Sequence, residues 1–231
     1  MDFLNSSKKW LWPLFFLLIL TPFSGWIDLS ITQFFYNHSN DPVEHFIAHP
    51  FLNFLFEFGP LLANLTASMS ALILLGSYLF RKLKKWKNPC LVLLLTYALG
   101  AGLIVNGVFK EYWGRPRPKQ VETFGGMQEF RPYYYPNFNP PAPSKSFSCG
   151  HCAMGFYFFA LALVGIRLRN RKLEVLGFTL ALGLGILLSL ARIMQGGHFF
   201  TDTLFSALIM WYTALAIDWL VYQGEPFERP Y

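Results

Sequence analysis

Charge is scarce in this chain. Asp, Glu, Lys and Arg make up 14% of its 231 residues, against roughly 25% in an average soluble domain. Hydrophobic residues supply 54% and aromatic ones 19%, more apolar surface than a soluble fold of this length can hide. Cysteine is nearly absent, with three residues at Cys90, Cys149 and Cys152, which excludes a disulfide-dense secreted scaffold. There is no internal repeat and no low-complexity tract. No small-x-small cleavage site follows the first apolar block, Trp10 to Leu29, so that block reads as a retained helix and not as a secretory signal.

What is present are apolar blocks close to the ~20 residues that span a bilayer's hydrocarbon core. Six spans are expected, at about 10–29, 59–80, 89–109, 151–167, 173–191 and 199–222, in a single all-α membrane domain covering 1–231. The net charge of +6 does not imply a nucleic-acid partner, because most Lys and Arg sit in short clusters beside the apolar blocks. Lys8 and Lys9, the loop from Arg81 to Lys87 and the loop from Arg167 to Lys172 are basic, and the positive-inside rule places all three in the cytoplasm. The tail Gln223 to Tyr231 then returns to the cytoplasm, and segments 30–58, 110–150 and 192–198 lie outside. In 30–58 a polar stretch, Asn37 to Glu44, precedes Phe46, Phe51, Phe54, Leu55 and Phe58 at near-helical spacing, the pattern of an interfacial helix. Segment 110–150 is a long outer loop rich in proline and tyrosine, and its aromatic content argues for order.

Three polar clusters interrupt the apolar background, each at the outer end of a span: Lys110 to Pro118, Ser146 to His151, and Arg192 to Asp202. Ionisable groups at membrane depth are costly and mark function. Guanidinium groups, an ammonium, two imidazoles and one carboxylate suit an anion. Arg117 and Arg192 offer planar forks for phosphoryl oxygens and Lys110 a point charge. Gly150 and His151 begin a helix, whose first N–H groups and dipole favour negative charge. His198 and Asp202 are four apart, on one helical face. A carboxylate on one ring nitrogen leaves the other free to attack phosphorus, and His151 can then serve as general acid and base. Arg115 reads as a headgroup or a structural contact, and Arg131 and Lys145 as further headgroup contacts.

Lys-x6-Arg-Pro at Lys110, Arg117 and Pro118, Gly-His at Gly150 and His151, and Arg-x5-His-x3-Asp at Arg192, His198 and Asp202 resemble the type 2 phosphatidic acid phosphatase superfamily. The resemblance implies a six-helix membrane phosphatase without cofactor or metal. In it Lys110, Arg117 and Arg192 bind phosphate, His198 is the nucleophile, Asp202 orients it, and His151 is the acid. Two positions depart from the family pattern: Ser148-Cys149 stands where Pro-Ser is usual, and Ala191 where Ser is usual. Cys149 falls among the phosphate contacts, but a thiol is a poor donor, so backbone N–H groups and Ser146 or Ser148 take over that contact.

Other classes fit less well. Cys149-Gly150-His151-Cys152 has redox spacing, but no βαβ unit surrounds it; both thiols are left either free or bonded. The outer-face acids beyond segment 30–58 are Glu111, Glu122, Glu129 and Asp202, with no ligand-like grouping, so no metal is expected. A transporter would place charges at the midplane, whereas these sit at one rim. Asp218, about 24 Å along the last helix from Asp202, reads as a terminal solvated charge. The expected partner is an anionic membrane lipid, met on the periplasmic face of a bacterial inner membrane. The resemblance is nearest to lipid A 1-phosphatases, with phosphatidylglycerol phosphate and undecaprenyl diphosphate as alternatives.

Overall fold

A computed structural model describes residues 7–38, 45–140 and 143–227. Six helices are long and apolar enough to cross a membrane: α1 (Lys8–Tyr36), α2 (Pro50–Leu79), α3 (Arg81–Tyr112), α4 (Gly150–Arg167), α5 (Arg171–Met194) and α6 (Phe200–Val221). Among the described residues the only β pairing is an isolated bridge between Val121 and Gln128. The six-helix, all-α expectation stands.

Three boundaries differ from the expectation. α3 begins at Arg81 and not near 89, because the basic stretch Arg81–Trp86 winds as a 3-10 helix. α1 runs on past residue 29 to Tyr36, through a 3-10 turn at Thr21–Phe23. The segment Pro50–Phe58, expected to lie in the interface, forms a helix of its own that runs into the membrane-spanning part of α2 through Gly59 and Pro60. His49 starts it by accepting the N–H of Phe51, with Pro50 at the first helical position, where a missing N–H costs nothing. The resulting 30 residues span about 45 Å, longer than the ~30 Å hydrocarbon core, and Phe56 places the outer end of α2 beside His151 and Arg192. Of the polar stretch Asn37 to Glu44, residues 39–44 lie outside the described residues, as do 228–231 of the C-terminal tail.

α4 is the most enclosed helix, packed against α5 and α6 around Phe156, Tyr157, Leu163, Met210 and Leu215. α1 and α2 instead expose large apolar side chains such as Leu18 and Leu72, which suits contact with acyl chains. The outer loop is ordered by its aromatics. Trp113 stacks on Phe147 and donates Nε1–H to the Tyr133 carbonyl at 2.7 Å. Tyr133 in turn packs on Phe205 of α6. Gly114 sits at φ +65°, and a Cβ there would fall 1.7 Å from the Asn137 carbonyl oxygen, so the entry to this loop requires glycine.

At the opposite end Asp218 is buried, not solvated. Arg167 grips it with two bonds, Nη2 to Oδ2 at 2.7 Å and Nε to Oδ1 at 3.1 Å. The tail folds back over this pair, with Phe227 under the Arg167 guanidinium. The sequence reading missed the partner because it lies 51 residues away on another helix.

Candidate active site

The alternation of helix direction brings the end of α3, the start of α4, the end of α5 and the start of α6 to one end of the bundle. Lys110, closing α3, points its Nζ at Asn106 Oδ1 at 3.5 Å. A Cβ on Gly150 would meet Asn106 Oδ1 at 2.6 Å and Lys110 Nζ at 3.4 Å, so Lys110 lies against the first turn of α4. α3 is π-helical from Thr96 to Phe109, a form frequent at functional sites, and Asn106 belongs to that stretch. Arg192, ending α5, donates from Nη1 to Gln195 Oε1 at 2.6 Å, while its buried Nε has no partner among the described residues. Its guanidinium lies 4.7 Å from the Phe56 ring. Phe56, on the outer extension of α2, also stacks on His151 at 4.4 Å. The Lys119 N–H donates to the Gly196 carbonyl at 3.3 Å, which holds the Arg117 segment beside the turn between Arg192 and His198, and a Cβ on Gly197 would meet Arg192 Nη2 at 2.2 Å. The three cations and two imidazoles named from the sequence therefore share one site.

His198 is buried just before α6, and its Nδ1 lies 2.6 Å from the Ser146 carbonyl oxygen. A carbonyl only accepts, so Nδ1 carries the proton and Nε2 keeps its lone pair. Asp202 was expected to hold this ring directly. Its Oδ2 is 3.8 Å from Nδ1, beyond hydrogen-bond range, because Oδ2 instead accepts from Ser146 Oγ at 2.6 Å and from the Phe199 N–H at 2.9 Å. Asp202 thus caps α6 and holds the Ser146 segment that holds His198. Burial, reinforced by the charges of Arg192 and Arg117 and opposed by Asp202, brings the His198 imidazole down to about 4, so the ring is neutral at neutral pH.

Arg115 is no headgroup contact. It is fully buried and binds Asp202 Oδ1 at 2.5 Å, Asp28 Oδ2 at 2.7 Å, Thr201 Oγ1 at 2.8 Å and the Arg131 carbonyl at 2.8 Å. Asp28, on α1, also accepts the N–H and hydroxyl of Thr201 at 2.9 and 2.7 Å. The sequence reading passed over Asp28, though an acid inside an apolar span was itself a signal. Cys149 and Cys152 form a disulfide, so Cys149 has no thiol to offer a phosphate, and its N–H points to the Asp202 carbonyl at 3.5 Å. Ser146 is likewise committed to Asp202, whereas Ser148 Oγ is buried without a partner among the described residues. Arg131 lies over Tyr135 and Lys145 pairs with Glu111, both in the outer loop. Among the described residues no three His, Cys, Asp or Glu side chains group as a metal site.

Comparison with known proteins agrees with this geometry. The PAP2 superfamily model matches residues 89–225. A lipid A 4′-phosphatase of Francisella tularensis subsp. novicida (strain U112) is 33% identical over 204 residues, 87% of this chain and 89% of that protein. A lipid A 4′-phosphatase of Rhizobium leguminosarum is 32% identical over 130 residues, 54% of this chain and 53% of that protein. One from Rhizobium etli (strain ATCC 51251 / DSM 11541 / JCM 21823 / NBRC 15573 / CFN 42) is 53% identical over 32 residues, 14% of this chain and 12% of that protein. These names specify the 4′-phosphate, where the sequence resemblance pointed to the 1-phosphate. No solved structure gives a significant match. With its motifs, its six apolar helices and these relatives in agreement, the chain belongs to the PAP2 superfamily, the type 2 phosphatidic acid phosphatases, and is a membrane phosphatase.

Proposed function

We propose that this protein removes the 4′-phosphate of lipid A, or of a closely similar phosphorylated glycolipid, on the periplasmic face of a bacterial inner membrane and without a metal ion. The observation that carries the reading is the buried His198, its Nδ1 2.6 Å from the Ser146 carbonyl so that Nε2 keeps its lone pair, at the end of the bundle where Lys110, Arg117 and Arg192 gather. The three cations neutralise the phosphate dianion and the charge that builds on its equatorial oxygens. The N–H groups of Gly150 and His151, which open α4, add donors without charge, while those of Cys152 and Ala153 are taken up by Cys149. Nε2 attacks phosphorus, the bond to the lipid oxygen breaks, and His151 gives that oxygen a proton. Water then attacks the phosphohistidine, His151 takes its proton, the P–N bond breaks, and phosphate leaves with His198 restored.

The names carried by the relatives support the 4′ position over the 1 position. The outward orientation is supported by the basic loops Arg81 to Lys87 and Arg167 to Lys172, at the end of the bundle away from the site. The test is incubation of the purified protein in EDTA with doubly phosphorylated lipid A, phosphatidylglycerol phosphate and undecaprenyl diphosphate. Mass spectrometry should show loss of the 4′-phosphate from lipid A, and His198→Gln should abolish it. Release confined to the 1-phosphate, or to phosphatidylglycerol phosphate, would overturn the substrate. Undiminished turnover in His198→Gln would overturn the mechanism.

A further inference from the structure

Asp28 lies on α1, outside the residues 89–225 that match the family model, yet its carboxylate is completely buried 2.7 Å from Arg115. Arg115 is pinned on three sides: Nε to the Arg131 carbonyl, Nη1 to Asp202 and Thr201, and Nη2 to Asp28. Asp202, on the far side of that fork, holds Ser146 Oγ, and the Ser146 carbonyl holds His198 Nδ1. A continuous chain of hydrogen bonds thus runs from α1 to the imidazole. Two carboxylates flank one guanidinium, all three side chains with no solvent exposure, so the link from α1 to His198 is buried.

We propose that Asp28 is a positioning residue for the phosphoryl transfer: it fixes the Arg115 fork that holds Asp202, and through Asp202 the Ser146 segment that orients His198. The proposal rests on His198 being the nucleophile. When Nε2 bonds to phosphorus, Nδ1 keeps its proton and the ring becomes cationic, so the Asp202 carboxylate held 3.8 Å from Nδ1 favours the transition state over the resting enzyme. Without Asp28, Nη2 of Arg115 loses its carboxylate and Thr201 loses both of its acceptors, so the fork is held at Nε and Nη1 alone and its grip on Asp202 loosens. Binding of the phosphate does not use this chain, since Lys110, Arg117 and Arg192 reach it from elsewhere.

Asp28→Asn keeps the side-chain shape and removes the charge. Measured in detergent on a lipid phosphate, it should lower kcat by about ten- to a hundredfold, the range for partners that orient a reacting group, with KM within about twofold of the parent. The rate of phosphoenzyme formation, followed by acid quench with radiolabelled substrate, should fall by the same factor. A purely structural role would move the melting temperature and the folded fraction without that split. Unchanged kcat and labelling rate in folded Asp28→Asn would overturn the proposal. Should that variant not fold, Thr201→Val, which removes one bond to Asp28 and one to Arg115, decides: reduced kcat at constant KM supports the proposal, and parental kcat overturns it. Parental turnover and labelling in His198→Gln would remove the nucleophile assignment, and this proposal with it. Failure on the chosen lipid alone would change the substrate and not the role of Asp28.

Discussion

His198 and Arg115 are both polar groups taken out of water, and burial acts on them in opposite ways. The imidazole answers by staying neutral, with its ionisation brought down to about 4. In the unfolded chain the same ring takes up a proton near pH 6.5, so between pH 6.5 and 4 the unfolded state binds more protons. Acid therefore favours unfolding, and stability falls as pH drops through that window. Between pH 7 and pH 5 this one residue should cost about 2 kcal/mol. The melting temperature in detergent should fall over that interval, and His198→Gln should flatten part of the fall. Arg115 cannot neutralise itself and is held instead by two carboxylates. Arg115→Met leaves Asp28 and Asp202 buried and uncompensated, which should destabilise the protein by about 3–5 kcal/mol. Arg115→Lys should recover little, since an ammonium cannot fork between two acids. A melting temperature of Arg115→Met equal to the parent's would count against this account.

α4 and α5 approach each other through small residues at several levels. A Cβ on Gly155 would come within 2.6 Å of Gly185 Cα, and one on Gly177 within 2.2 Å of the Ala162 nitrogen. Such contacts are backbone against backbone, so no rotamer can relieve them. Gly177→Val should push α5 away from α4 and with it Arg192 from His151, lowering both melting temperature and activity. Gly183→Ala, on the same helix but with nothing within 4 Å of its Cβ, should leave both unchanged. The element plan was legible in the sequence because spans announce themselves by apolar length and basic flanks. That Lys110, Arg117, Arg192 and both histidines gather at one end was legible because motif spacing placed them at span ends facing one side. The supporting bonds were not. That His198 would lean on the Ser146 carbonyl and not on Asp202 depends on how the loop enters α4, which no side-chain pattern encodes. The pairs Asp28–Arg115 and Arg167–Asp218 join residues 87 and 51 positions apart in sequence, and only the packing of the bundle makes them neighbours.

At the scale of the molecule the bundle has two unlike ends. One carries the anion site beneath the aromatic loop; the other carries the Arg167–Asp218 pair under the C-terminal tail, together with the basic loops. Substrate access depends on which end faces which compartment, and charge bias gives a definite expectation. The native cysteines make a labelling test clean, because Cys90 is buried and Cys149 and Cys152 are joined. Phe138 in the outer loop is 69% exposed, and Lys84 is exposed in the Arg81–Trp86 turn at the opposite end. In bacterial cells whose outer membrane has been made permeable, a maleimide that cannot cross the inner membrane should label Phe138→Cys at once. Lys84→Cys should react only after the inner membrane is breached. The reverse pattern would put the site in the cytoplasm, and dephosphorylation would then precede export of the lipid instead of following it.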